Sequence, residues 1–221
     1  MIHFSTTCID NFFKYPNSIA NYANSLEFSS EGKEQLWPGK RSQELHILHP
    51  GLYKAISEKF LYHHYNLRSG EATVGYKSEM HFQKVDSEYD KGWIHSDNRI
   101  VHTTIIYLTP GANLNSGTSL YVPKKGVNPL VEPPNDFMKR KFYSDEEKAR
   151  EVEEYRLDWK NNFEEVTRFS NVYNRCIGFD GSQWHGSNNL SSKGERLTLV
   201  IFWTEITGPQ TGLQRTQMEL I

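Results

Sequence analysis

Cysteine is nearly absent from this chain. Cys8 and Cys176 are the only two; they show no C-x-x-C spacing, and two thiols cannot build a multi-bridge disulfide framework. Long apolar runs are missing as well. No stretch approaches the length of a membrane span. The opening Met1-Ile2-His3-Phe4 has no basic region followed by an apolar run, so no secretory signal is expected. Charge of one sign is not in excess either. Lys and Arg number 25 against 27 Asp and Glu, a net charge of −2, which gives no strong field for nucleic acid or an anionic membrane. No internal repeat is found. What the chain does have is aromatic content, 13% Phe, Trp and Tyr within 37% hydrophobic residues. Its 221 residues leave room for one domain, 1–221, with a sizeable core. The composition fits an aromatic-rich globular β protein, soluble and cytoplasmic.

Periodicity separates a helical or looped start, 1–70, from a β-rich remainder. Asp10-Asn11-Phe12-Phe13 can open a helix that continues through Ser18–Leu26, and Gly32, Pro38 and Gly39 mark Glu31–Gln43 as loop. Glu44–Leu48 reads as a short strand. Pro50 opens a second helix with Leu52, Tyr53, Ile56 and Phe60 at helical spacing, closed by His63 and His64 as caps for the free carbonyls. From Thr73 the period becomes two. Thr73–Val85 is one long strand or a hairpin, with His81 on its polar face as a weak ligand candidate. Arg99–Leu108 is dense in β-branched residues and stops at Thr109-Pro110-Gly111, so it reads as a strand with His102 packed inside it. Gly117–Pro123, Asn171–Phe179 and Arg196–Trp203 are further strands.

Residues 124–170 do not fit this meander. Lys124–Tyr143 holds Pro129, Pro133, Pro134 and the basic triplet Lys139-Arg140-Lys141, and reads as loop. Ser144-Asp145-Glu146-Glu147 is a capping box for a helix running to about Val166, with Val152, Tyr155, Trp159 and Phe163 as its apolar stripe. The segment is an inserted arm docked on the sheet, either with its loop, 124–143, shaping the substrate pocket or as a helical brace that only covers a sheet face. The expected architecture is mainly β, a closed or double-sheet antiparallel jelly roll with flanking helices and a helical insert.

The chemistry centres on Trp93-Ile94-His95-Ser96-Asp97-Asn98. In an extended segment alternate side chains share a face, so His95 and Asp97 point the same way. With a second imidazole they form the two-His, one-carboxylate set that leaves coordination positions open and typifies non-haem Fe(II) oxygenases. Alone, H-x-D also reads as a surface turn capped by Asp97. His185 supplies the second imidazole, in the turn that follows the β-rich run ending at Asp180-Gly181. Arg196 and Thr198 come next. By alternation Arg196, Thr198, Val200 and Phe202 share one face and Leu197, Leu199, Ile201 and Trp203 the other, and a guanidinium fork beside a hydroxyl binds a carboxylate well.

The ordered set His95-x-Asp97, His185, Arg196-x-Thr198 resembles the Fe(II)/2-oxoglutarate-dependent oxygenases. Thr103–Leu108 and Gly117–Pro123 look like the paired strands after H-x-D in the prolyl-hydroxylase-like branch, and Asn174-Arg175-Cys176-Ile177-Gly178-Phe179-Asp180 is similar to the segment before that family's distal His. The likeness runs from about Thr73 to Thr204, the insert excepted. It implies a double-stranded β-helix with Fe(II) on His95, Asp97 and His185. It also implies 2-oxoglutarate on Arg196 and Thr198, O2 as co-substrate, and oxidation of a small-molecule or peptidyl substrate, most simply hydroxylation. The tyrosine of that site aligns with Ile106, with Tyr107 beside it. A metal-binding cupin-like module without turnover and a purely structural β-sandwich are the alternatives; the first has no need of Arg196-x-Thr198.

Overall fold

A computed structural model describes residues 6–30, 36–65, 74–85, 92–97, 99–128, 136–143, 146–190 and 195–207. The chain opens with strand β1 (Thr7–Ile9) and helix α1 (Pro16–Asn24). That helix starts at Pro16 rather than at Asp10–Phe13. Asn11 is left-handed (φ 56°), and Asn174 ties the segment down, accepting from Phe12 N on its carbonyl (3.0 Å) and from Phe13 N on its side chain (2.8 Å). Strands β2 (Phe28–Ser29) and β3 (Lys40–Ser42) follow, the latter inside the stretch expected to be loop. Gly39 enters it at φ +82°, with its Cα so close to the Lys84 carbonyl that any Cβ would overlap it.

Residues 45–48, expected as strand, form the helical turn α2 (Leu45–Leu48). Helical spacing puts Leu45 and Leu48 together on the core while Ile47 stays 55% exposed; a strand would have buried Leu45 with Ile47. Helix α3 (Pro50–Tyr65) forms as its spacing predicts, burying Ile56 and Phe60. His64 is not a terminal cap. It is buried, with Nδ1 2.5 Å from Thr7 Oγ1, its ring stacked on Phe60 and edge-on to His102.

The β-rich part consists of β4 (Gly75–Val85), β5 (His102–Tyr107), β6 (Thr118–Pro123), β7 (Phe163–Phe169), β8 (Cys176–Asp180), β9 (Trp184–Ser187) and β10 (Arg196–Thr207). Of the expected strand or hairpin over 73–85, Gly75–Val85 forms one long strand, and residue 73 lies outside the described residues. The strands pair antiparallel in a major sheet, β1-β8-β5-β10-β4-β3-β2, and a minor sheet, β7-β6-β9. The two sheets are those of a double-stranded β-helix. β10 behaves as its alternation predicts: Leu197, Leu199, Ile201 and Trp203 pack against Phe60 and the helices, while Arg196, Thr198, Val200 and Phe202 line a cavity on the other face. His102 is fully buried on the helix side, as expected.

The insert is more ordered and shorter than its sequence suggested. Within the stretch taken as loop, α4 (Asp136–Phe142) is helical; residues 129–135 and the Ser144-Asp145 half of the capping box lie outside the described residues. The single helix expected to reach Val166 is two, α5 (Glu146–Glu151) and α6 (Glu153–Asn161), and β7 follows. Propensity loses there to pairing, because Phe163 and Glu164 lie opposite Pro123 and Val122 of β6. The apolar stripe still does what its spacing implied. Val152, Tyr155, Trp159 and Phe163 pack with Trp93, Ile94, Tyr121 and Phe142 into a second core under the insert.

Gly178 on β8 marks where α3 meets the major sheet. A Cβ there would lie 2.6 Å from His102 Cε1 and 2.7 Å from Phe60 Cζ, both held in fully buried rings. Overpacking of this kind costs about 1–3 kcal/mol. Gly178→Ala is therefore expected to lower the urea midpoint with an unchanged m-value. A midpoint equal to wild type would show that the α3–sheet contact relaxes freely.

Candidate metal centre

The segment 92–97 runs extended beside β9. His95 and His185 exchange main-chain hydrogen bonds, His95 N to His185 O at 2.9 Å and His185 N to His95 O at 2.8 Å, so the two residues stand directly opposite each other. His185 is therefore a strand residue, not the turn residue expected. Cross-strand partners share a face, and their rings lie 4.3 Å apart. Asp97, two residues on, joins that face, and Asp97 N donates to Gly181 O at 2.7 Å.

The three side chains converge. His95 Nε2 is 3.7 Å from Asp97 Oδ1 and His185 Nε2 is 3.5 Å from Asp97 Oδ2, so one ligand atom of each lies within 4.8 Å of the others. Both imidazoles are turned by the main chain two residues back: Trp93 O lies 2.9 Å from His95 Nδ1 and Gln183 O lies 2.8 Å from His185 Nδ1. Carbonyls accept only, so each Nδ1 carries the proton and each Nε2 offers its lone pair inward. Thr103 Oγ1 donates to Asp97 Oδ2 at 3.0 Å and fixes the carboxylate.

Burial pushes His95 down to about 3, with the charges of Lys139 and His185 acting in the same direction and Asp97 opposing. It is thus neutral at physiological pH, the state a metal takes. Burial works against the charge of Asp97, but His185, His95, the Thr103 bond and Lys139 outweigh it and hold the carboxyl below its ordinary value. Two imidazole nitrogens and a carboxylate oxygen on one side of a point suit a divalent transition metal. Among the described residues no other histidine joins such a cluster. His81, a weak candidate on sequence, lies with its Nδ1 3.0 Å from Ser42 O.

The triad opens on a cavity of about 420 Å³ whose far wall carries Arg196 and Thr198. Arg196 is 5% exposed, and among the described residues neither its Nε nor its Nη2 has a hydrogen-bond partner. Burial lowers its pKa, with Tyr107 opposing. A buried guanidinium with idle donors is costly unless something occupies them. Tyr107 shares the cavity face of β5, its ring 5.5 Å from the guanidinium and its hydroxyl donating to Thr118 Oγ1 at 3.0 Å. Ile106 points the other way, into the core. The structure thus puts Tyr107, not Ile106, beside Arg196.

Several neighbours were not singled out from sequence. Thr103 shares the face of Tyr107 by alternation, but which parity of β5 faces the cavity is set by its register with β10. Lys139 and Tyr143 line the cavity from the stretch expected to shape a pocket, whereas the insert's hold on the segment 92–97 had no such trace: Trp159 Nε1 donates to Ile94 O at 2.8 Å and Tyr143 Oη accepts from Trp93 N at 3.2 Å. Arg41, Trp37, Glu79 and Gln83 line it from the major-sheet side.

No curated protein matches the chain in sequence. Among solved structures it is similar to HygX from Streptomyces hygroscopicus with nickel and 2-oxoglutarate bound, at a TM-score of 0.58 and 14% identity over 90% of this chain and 82% of that one. HygX with nickel, 2-oxoglutarate and hygromycin B bound superposes at 0.56 with 13% identity, covering 90% and 82%. SnoN, the non-heme α-ketoglutarate-dependent epimerase from nogalamycin biosynthesis, gives 0.51 at 11% identity over 92% and 78%. At such identities these likenesses speak for the fold, that of the Fe(II)/2-oxoglutarate oxygenases. The chain itself belongs to DUF6445, a family of unknown function whose pattern matches residues 4–196.

Proposed function

We propose that the protein is an Fe(II)/2-oxoglutarate-dependent dioxygenase that oxidises a small-molecule or peptidyl substrate, most simply by hydroxylation. The observation that carries this reading is Arg196, buried with two unpartnered donors in the same cavity as His95, Asp97 and His185. A metal module without turnover needs the triad but has no use for that arginine. HygX, which shares the fold, has been seen with nickel and 2-oxoglutarate bound, and this supports the assignment of both groups.

His95, Asp97 and His185 would hold Fe(II), their Nε2 and carboxylate atoms already turned to one point. Arg196 would take the distal carboxylate of 2-oxoglutarate in a two-bond fork, with the Thr198 hydroxyl beside it. The Tyr107 ring closes the back of that pocket. When bound, Fe(II), 2-oxoglutarate and O2 together supply a two-electron oxidation coupled to decarboxylation to succinate. The chain's own work is to orient and to exclude water. The minor sheet holds the ligands, the major sheet holds the co-substrate arginine, and the insert covers one side through Lys139 and Tyr143.

His185→Ala is expected to stay folded while losing Fe(II) binding and iron-dependent succinate formation, because two ligands cannot replace three. A folded variant that binds Fe(II) like wild type in anaerobic titration would remove His185 from the metal site.

Arg196→Ala is expected to weaken 2-oxoglutarate by about tenfold to a hundredfold, since hydrogen bonds to charged groups contribute roughly 1.5–3 kcal/mol, and to leave Fe(II) affinity unchanged. Arg196→Lys should recover only part of the loss, for want of the planar fork. The visible charge-transfer band on anaerobic addition of Fe(II) and 2-oxoglutarate reads the affinity directly. Equal 2-oxoglutarate affinity in wild type and Arg196→Ala would sink the assignment.

A further inference from the structure

Strand β4 is the part of the cavity wall that neither iron nor 2-oxoglutarate accounts for. Glu79 and Gln83 line the cavity from it. Cross-strand register places them. Gln83 stands opposite Thr198 of β10, so it is the next side chain over from the 2-oxoglutarate arginine and its hydroxyl neighbour. Glu79 stands opposite Phe202, which pairs in turn with Thr103, the residue that holds Asp97. With strands about 4.8 Å apart, Glu79 is two strands, or roughly 10 Å, from Thr103. Four residues of strand, about 13 Å, separate Glu79 from Gln83. His81, between them, has its Nδ1 turned to Ser42 O at 3.0 Å.

Both side chains offer acceptors. Gln83 is 8% exposed, and its Nε2 donates to Pro38 O at 3.0 Å. A carbonyl can only accept, so that bond decides which end of the carboxamide is which. The nitrogen is taken by Pro38, and the oxygen is left with lone pairs to fill. Among the described residues nothing donates to Gln83 Oε1, and a buried acceptor without a donor is costly. 2-Oxoglutarate cannot supply one, because its distal carboxylate also only accepts. Glu79 is exposed at the mouth of the same cavity, and an ionised carboxylate has no hydrogen to give. Arg41 and Lys139 line the cavity as well, each engaged with partners of its own.

We propose that Gln83 Oε1 and the Glu79 carboxylate anchor the substrate, so that the substrate is a small hydroxylated or aminated molecule held through its O–H or N–H groups. The proposal deepens the dioxygenase reading and rests on it for what fills the other half of the cavity. Gln83 is the deep anchor, beside the co-substrate, and sets the register of the bound molecule. Glu79 is the outer one, on the row that leads through Phe202 to Thr103. A cavity of about 420 Å³ takes a molecule that reaches from one to the other.

The test is ligand-observed NMR on the protein loaded with Zn(II) and 2-oxoglutarate, which binds without turning over. The probes come in matched sets on one skeleton: glucosamine, glucose and glucuronate, then hexane-1,6-diamine, hexane-1,6-diol and adipate, with the dimethyl ether of the diol as the form stripped of donors. Expected is binding of the amine or the alcohol of a set without binding of its acid, and the member that responds tells N–H from O–H. Gln83→Met should weaken that probe by about twofold to tenfold with 2-oxoglutarate affinity unchanged. It should also abolish the preference for the diol over its dimethyl ether, whereas a merely structural Gln83 would weaken both alike. Glu79→Gln, at an exposed position, should weaken an amine by about twofold to fivefold and spare an alcohol, and Glu79→Ala should weaken either. Should Gln83→Met fail to fold, the Glu79 variants carry the decision. Binding of no amine or alcohol, equal binding of the acid, or unchanged affinity in the folded Gln83 and Glu79 variants overturns the proposal. The same titrations on metal-free protein keep the two readings apart: binding that depends on Gln83 and Glu79 stands there even if Zn(II) and 2-oxoglutarate fail to bind, and that failure strikes the dioxygenase reading instead.

Discussion

The site depends on two hydrogen bonds between main chains. By exchanging N–H and C=O groups, His95 and His185 fix one another's height, face and direction, although they come from distant parts of the sequence. Everything nearer the point where the three side chains converge follows locally. The i, i+2 step brings Asp97 onto the same face, and the carbonyls of Trp93 and Gln183 set the two ring tautomers from the same relative position. The two halves of the centre are built alike. Side chains on adjacent antiparallel strands are held more closely than any loop would hold them, which is the condition for three donors to meet at one point.

The segment bearing His95 and Asp97 is also an edge. β9 pairs it on one side, and no further strand covers the other among the described residues. Exposed edges fray or recruit partners. Here the insert takes the place of a strand, with Trp159 donating to Ile94 O and Tyr143 accepting from Trp93 N, and the aromatic core of Trp93, Phe142, Trp159 and Phe163 seals the contact. The arm therefore braces the segment that carries His95 and Asp97, and through Lys139 it also reaches the cavity.

How much of this was legible in the sequence follows from how local each feature is. The β10 faces, the α3 helix and the order His95-x-Asp97, His185, Arg196-x-Thr198 are one-dimensional patterns, and they appear where the pattern puts them. The misses share a cause. Leu45–Leu48 was read with the wrong period because a five-residue window fits both. Phe163–Phe169 has helical composition yet pairs with β6, and Asp10–Phe13 is tied to Asn174; both are decided by partners far along the chain. The choice between Ile106 and Tyr107 depended on which parity of β5 faces the cavity, and that parity is set by register with β10, where Tyr107 stands opposite Thr198. Thr103, on the same parity, was recoverable only once that register was known.

The arginines show where this fold has left charge uncompensated. Arg175 and Arg168 sit toward the surface, where water would serve them, yet each makes a two-bond contact with a carboxylate, Asp10 and Glu165 respectively. Surface pairs of this kind add little stability. Arg196 is far more deeply buried, and among the described residues its Nε and Nη2 have no partner. Stability alone would favour the reverse arrangement, since breaking or omitting a buried pair is the costly choice. β10 places this residue, with Thr198, on the one face of the major sheet that opens to a cavity, opposite a triad whose carboxylate is itself held ionised. The Fe(II)/2-oxoglutarate reading gives that cost a purpose: the idle donors would take an anion, and the three converged donors opposite would take a metal.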